Sequence, residues 1–115
     1  MTSQEGKRID EIPRRLIIGA SAYTVKLVEN LIAERGRSGE CNFLRQTIQI
    51  DRALMDSKQK EVLLHEVLEA INEEYDVSLE HHQLSLLSVT LMATLRENKA
   101  LRECLLGEGE DINRR

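Results

Sequence analysis

The sequence is poor in aromatic residues, which make up 3% of the chain and include no tryptophan. The core must therefore be aliphatic, and Leu, Ile and Val cluster at residues 16–18, 62–64 and 84–95. Apolar residues account for 41% and charged residues for 31%, which is typical of globular proteins and argues against wholesale disorder. A length of 115 residues predicts one domain, because it supplies enough material for a single core.

Cysteine is scarce too, since Cys41 and Cys104 lie far apart and neither belongs to a Cys-x-x-Cys pair. The sequence therefore indicates neither a thiolate metal knuckle nor a redox motif, and two free thiols fit a reducing compartment. No apolar run approaches the length of about 20 residues that spans a bilayer. The polar residues 1–11 lack the apolar region of a signal peptide. We expect a cytoplasmic protein without a membrane partner.

An excess of basic charge is also missing, since the formal net charge is −4. Binding to a phosphate backbone needs a concentrated Lys/Arg surface. Small basic groups at residues 7–8, 14–15 and 35–37 leave a local anionic contact as a minor alternative. No segment reads as a recognition helix rich in Arg, Asn or Gln. We therefore do not expect nucleic acid as a partner.

The first half of the domain has the patterns of β-strands. Residues 15–19 and 23–27 are β-rich and flank Gly19-Ala20-Ser21-Ala22, which predicts a hairpin. Residues 34–39 read as a glycine-bearing loop, leading to a short strand near residues 40–43. Residues 46–51 alternate with period two, as expected of a strand with one buried face. Three or four strands therefore precede the first long helix.

The second half has the patterns of helices. Asp56-Ser57, with Gln59 three residues after Asp56, resembles a capping box and predicts a helix over residues 57–75. Ser78 is the expected cap of a second helix, which carries leucines at helical spacing to about residue 98. The fold class predicted is α+β, with a small antiparallel or mixed sheet of three to four strands packed on two or three helices. A flexible arm over residues 1–13 precedes the domain over 14–98, and a helical extension and frayed tail follow over 99–115.

The motif His65-Glu66-Val67-Leu68-Glu69 carries the chemistry. His65 and Glu69 are four residues apart, so a helix stacks them one turn apart with both side chains able to reach one ion. Glu66, beside the first ligand, would take a proton from a zinc-bound water and pass it to the leaving amine. The pentapeptide alone is common in charged helices, where its residues are simply surface side chains. The three histidines of the chain, however, all fall at positions 65, 81 and 82.

A third protein ligand is needed, because catalytic zinc usually keeps three and leaves one position to water. His81 is the preferred candidate, since a residue beside the helix start can point at the preceding helix. His82 is turned by about 100° on the same helix. Glu80 is the other alternative, and a second carboxylate would weaken the ion's pull on water and favour a structural site or another metal.

A family resemblance joins these elements. Residues 48–51, the helix through residues 62–71, residues 79–81 and the Leu-rich helix ending at residues 95–98 together resemble short phage- and prophage-encoded zincin-like proteins. These are similar to the ImmA/IrrE type of metallopeptidase domain, and the likeness covers residues 14–98. The resemblance implies a zincin-like fold, Zn²⁺ as cofactor, and a hydrolase of the bacterial host cytoplasm that cleaves a protein or peptide.

Specific roles follow from the resemblance. It makes His65 the first ligand and Glu66 the general base, while Glu69 stands where most relatives have a second histidine. His81 matches a histidine of the variant branch that has Glu at this place. The departure at Glu69 keeps an alternative open, namely a catalytically inactive zincin scaffold that docks a protein partner.

The resemblance also implies a substrate-binding strand. In the family, an edge strand of the sheet offers backbone hydrogen bonds to an extended peptide. Ile48, Gln49 and Ile50 would be the matching strand here.

Overall fold

The computed structural model describes residues 11–107 and has the predicted α+β class. Its four strands form one mixed sheet in the order β1-β2-β4-β3. β2 pairs parallel with β4, whereas the β1–β2 and β3–β4 pairs are antiparallel. The strands are β1 (Arg15–Ile18), β2 (Ser21–Val28), β3 (Gly39–Asn42) and β4 (Thr47–Asp51). All four predicted strands are confirmed, including the hairpin, which turns at Gly19 with a φ of 62°.

The described residues contain four helices, one more than the largest number predicted. They are α1 (Leu31–Arg35), α2 (Asp56–Glu74), α3 (His81–Glu97) and α4 (Lys99–Leu105). None of these helices has both the length and the apolarity needed to cross a membrane. α4 lies within the predicted extension 99–115, whereas residues 1–10 of the predicted arm and 108–115 of the predicted tail lie outside the described residues.

The helix α1 was not predicted from the sequence. The backbone N–H of Ile32 donates to Asp51 Oδ2 at 2.8 Å, so the carboxylate that satisfies its first turn comes from the end of β4. The N–H of Ala53 donates to the other carboxylate oxygen at 2.8 Å. Both bonds hold the pKa of Asp51 below its usual range, because they stabilise the ionised form.

The predicted caps of the two long helices are wrong. Met55, in extended conformation, precedes α2, and the Gln59 amide donates to the carbonyls of Arg52 and Leu54, at 3.1 Å each, rather than closing a capping box. Ser78 has a left-handed φ of 71° and does not begin α3. Glu80 is the N-cap of α3 instead, and its N–H donates to Gln83 Oε1 at 2.8 Å.

The core lies between the sheet and α2. The largest fully buried side chains are Tyr23, Ile48, Ile50 and Leu84, and all but the tyrosine are aliphatic as predicted. Val62 and Ala70 bring α2 onto this layer. The Tyr23 hydroxyl donates to Glu74 Oε2 at 3.0 Å, which satisfies the one polar group of a buried ring.

The predicted substrate-binding edge strand is wrong. β4, which contains Ile48, Gln49 and Ile50, is an interior strand that pairs with β2 on one side and β3 on the other. Ile48 and Ile50 have no exposed surface. Their backbone hydrogen-bonding groups are used within the sheet, so they cannot pair with a peptide. The edge beside the long helices is β3.

Candidate metal centre

Two of the three predicted ligands lie one turn apart on α2. His65 Nε2 is 3.3 Å from Glu69 Oε2, and the two side chains are 18% and 23% exposed. Val62 and Ala70 of the same helix are buried against the sheet. The 3.6-residue period therefore places His65 and Glu69 at the border between the core and solvent.

The third predicted ligand comes from the start of α3. Asn72 bridges the link between the two helices, since its Nδ2 donates to the Leu79 carbonyl at 3.0 Å and its Oδ1 accepts from the Leu79 N–H at 2.9 Å. Leu84, which is 2% exposed, anchors the next turn. As a result His81 Nδ1 lies 3.1 Å from Glu69 Oε2. The rings of His65 and His81 meet edge to face, with centroids 5.1 Å apart.

These three side chains form the one group of possible metal ligands found within residues 11–107. One ligand atom from each lies within 4.8 Å of the others. A tetrahedral zinc site with bonds of about 2.0–2.1 Å separates its ligand atoms by about 3.3 Å. The two distances to Glu69 already match this value, so the donor set fits zinc after a small approach of the two imidazoles.

His65 has the charge state that a ligand needs. Burial lowers its pKa, which outweighs the opposing effect of Glu69, and the charge of His81 acts in the same direction as burial. The imidazole is therefore neutral at physiological pH. A neutral imidazole keeps the ring-nitrogen lone pair that coordinates a metal.

Glu66 is the most buried carboxylate on this side of α2, with 7% exposure. Burial is the largest cause that raises its pKa to about 7, followed by the negative charges of Glu69 and Glu40. It lines the same cleft as His65, Glu69 and His81. A carboxyl group with a pKa near neutrality can both accept and release a proton at physiological pH.

The cleft is an open space of about 740 Å³ between β3, α2 and α3. Its α3 wall includes Ser85, Ser88 and Val89. Its opposite wall is the segment from Gly36 to Cys41, together with Phe43. The candidate ligands thus line a groove along an edge of the sheet, and His81, which is 75% exposed, is the most open of the three.

The backbone of β3 presents hydrogen-bonding groups to this cleft. The Asp51 N–H donates to the Ser38 carbonyl at 2.9 Å, which makes these two residues a hydrogen-bonded pair of the antiparallel ladder. Such pairs alternate along the strands. The N–H and C=O of Gly39 and Cys41 therefore point away from β4, towards the free edge.

Gly39 was not recognised from the sequence as a site residue. A Cβ built there would lie 2.4 Å from Val62 Cγ1 and 3.1 Å from Glu66 Oε2, so only glycine lets β3 approach α2 this closely. Glu40 was also missed, and its carboxylate accepts from Arg35 and Arg37 at 3.0 and 3.3 Å. The only local signal was a glycine immediately before a short predicted strand.

The two alternative ligands lie elsewhere. His82 Nδ1 is 3.5 Å from Glu80 Oε1, and both side chains are about three-quarters exposed. Neither residue lines the cleft around His65. The structure therefore brings together the preferred set and leaves Glu80 and His82 outside it.

In comparisons with protein-family models, with curated proteins and with solved structures, none matches this chain. What this protein does is therefore inferred from the geometry and chemistry of the cleft.

Proposed function

We propose that this chain is a zinc-dependent metallopeptidase-like protein of zincin-like fold, in which His65, Glu69 and His81 hold the ion. The observation that carries the proposal is the convergence of these three ligand atoms within 4.8 Å beside the buried Glu66, in a cleft that follows a sheet edge. Two imidazoles and one carboxylate have the composition of a known catalytic zinc class.

Each site residue has a role in peptide hydrolysis. His65, Glu69 and His81 would hold a zinc ion, which would lower the pKa of a water molecule and polarise the carbonyl of the peptide. Glu66 is the general base, which takes the proton from the attacking water and delivers it to the leaving amine. Its raised pKa suits both transfers near neutral pH.

The substrate proposed is an extended peptide paired with β3. The outward N–H and C=O groups of Gly39 and Cys41 can hydrogen-bond such a peptide by strand addition. The proposed substrate-binding strand is thus β3 and not residues 48–50, because β3 has one side unpaired within residues 11–107. The peptide would then run between β3 and α3, across the metal ligands.

The test is zinc binding followed by peptide cleavage. Protein purified without added zinc is titrated with Zn²⁺ by calorimetry, and cleavage of an unstructured peptide library is followed by mass spectrometry. We expect one zinc per chain, with Glu66→Gln binding zinc and losing cleavage. Glu73→Gln, the same change two turns along α2, is the matched control and keeps both. A chain that binds no zinc contradicts the proposal.

A second candidate function is a binding module on the same scaffold, without catalysis. It is favoured by the hydrogen bonding of Glu69 Oε2, which lies within 3.3 Å of a nitrogen of both His65 and His81 and so satisfies the cluster without an ion. The module would dock a protein partner of phage or host. Zinc binding without cleavage of any library peptide, or no zinc binding at all, supports this second function.

A further inference from the structure

The helix α3 has an unusual composition for this chain. Residues 83–95 contain no charged side chain, whereas charged residues make up 31% of the whole sequence. A helix whose apolar residues extend beyond the side that it buries is a candidate for a further contact. The exposed apolar side chains of α3 therefore need a partner surface to be covered.

Within residues 11–107, one side of α3 is packed against α2 and the opposite side is exposed. Leu84 and Ser88, which face α2, are 2% and 5% exposed. On the opposite side Leu86 is 66% exposed, and Val89, between that side and the cleft, is 57% exposed. His82, Leu86, Val89, Ala93 and Glu97 follow one another at spacings of three and four, so they form one continuous stripe, which we call the outer stripe.

We propose that the outer stripe is the contact surface for a second copy of this chain. In an antiparallel pair of α3 helices related by a two-fold axis near Val89 and Thr90, Leu86 of each copy faces Ala93 of the other. The large side chain then fits over the small one. This inference does not require a bound zinc ion, although Val89 also lines the cleft of the proposed metal site.

The ends of the outer stripe also match in this arrangement. His82 of each copy faces Glu97 of the other, so an imidazole N–H can donate to a carboxylate at both ends of the interface. Antiparallel helices in addition bring opposite dipole ends together. Leu86 and Ala93 lie at equal distances on either side of the centre of the stripe, and so do His82 and Glu97. The stripe is therefore complementary to a second copy of itself, which favours a second copy over an unrelated protein.

The first experiment is the mass of the full chain in solution. By sedimentation at about 100 μM, a concentration that populates a dimer of micromolar affinity, we expect twice the 13.2 kDa of one chain. Leu86→Glu should give the monomer, because it places two charges near the axis. Leu44→Glu, at a leucine that is 97% exposed on another part of the surface, is the matched control and should remain dimeric. Circular dichroism confirms that both variants are folded.

The second experiment tests the antiparallel register. His82→Glu and Glu97→Lys should each weaken dimerisation by about 10-fold or more, which is the scale of a lost charge-assisted contact. The double variant should recover most of that loss, because it restores opposite charges. In a Cys104→Ser background, Thr90→Cys should form an intermolecular disulfide and Leu44→Cys should not.

Three results would overturn the proposal. The first is a monomeric wild-type chain, which would leave the outer stripe to a different protein or to a terminal segment of the same chain. The second is a dimer that Leu86→Glu does not dissociate. The third is a double variant no stronger than either single variant.

Discussion

Two histidine–glutamate pairs occupy neighbouring helices and differ in their surroundings. The nitrogen–oxygen distances are similar, 3.3 Å for His65–Glu69 and 3.5 Å for His82–Glu80. The first pair is largely buried in a cleft and has His81 as a third group, whereas the second pair is about three-quarters exposed. Burial and a third donor, rather than the distance within a pair, therefore distinguish the candidate metal site.

The largest difference between the pairs should appear in zinc affinity. We expect His65→Ala to weaken zinc binding by at least about 100-fold, because it removes a direct ligand, an effect larger than typical changes to outer-shell partners. His82→Ala should change the affinity by less than about 3-fold, since its ring lies outside the cluster. Calorimetric titration with Zn²⁺ measures both values. Equal losses in the two variants would remove the distinction between the pairs.

The next largest effect should be the influence of Glu66 on the pH dependence of stability in the metal-free protein. Its pKa is about 7 in the fold against an ordinary 4.5, so the folded state binds the proton more tightly than the unfolded state. The contribution of Glu66 to the free energy of unfolding should therefore be largest below pH 4.5 and should be lost as the pH rises through about 7. Its size is about 3 kcal/mol, at 1.36 kcal/mol per pKa unit, and the lowered pKa of His65 acts in the opposite direction.

Urea unfolding at pH 5 and pH 8, with a chelator present, tests this dependence. Glu66→Gln should remove most of the fall, because an amide does not ionise. Glu80→Gln, which changes a carboxylate of the exposed pair, should behave like the wild-type chain. The same pH dependence in the wild-type chain and in Glu66→Gln would show that burial does not disfavour ionised Glu66.

A somewhat smaller effect on stability is expected from adding a methyl group where β3 contacts α2. Gly39→Ala should destabilise the fold by about 1–3 kcal/mol, because the new methyl group collides with Val62. It should also weaken zinc binding by displacing a wall of the cleft. Gly36→Ala should lower stability by about 1 kcal/mol through its left-handed φ of 71° and leave zinc binding unchanged. Thermal unfolding and zinc titration of both variants check the contrast.

The smallest effect should come from a change in the link between α2 and α3, which positions His81. Asn72→Ala removes two hydrogen bonds to Leu79 and should lower stability by about 1 kcal/mol. Zinc affinity should drop a few-fold, because the start of α3 becomes less ordered. Asn98→Ala, which loses one bond to the Thr94 carbonyl, is the control and should not affect zinc. An unchanged zinc affinity in Asn72→Ala would show that Leu84 alone positions α3.

Patterns within short stretches of the sequence were sufficient to predict much of this structure. The hairpin could be predicted because a glycine with positive φ lies between two β-rich segments, and β4 could be predicted from its alternation. The spacing of His65 and Glu69 follows from the helical period. The short link after α2 gave the reason to place His81 near them.

Non-local contacts account for the features that sequence reasoning missed. The carboxylate that satisfies the start of α1 belongs to Asp51, 19 residues after Ile32. The interior place of β4 depends on its parallel pairing with β2, which no local pattern encodes. The same holds for Gly39, whose importance is visible only when Val62 of α2 lies beside it.

The free edge of β3 has a consequence for the behaviour of the protein at high concentration. An unpaired strand can template the stacking of further chains and so lead to aggregation. Two features oppose this here, the short length of four residues and the charges of Glu40, Arg35 and Arg37 around the strand. These features disfavour the pairing of β3 with further chains into fibres, while its backbone groups stay available to the proposed peptide.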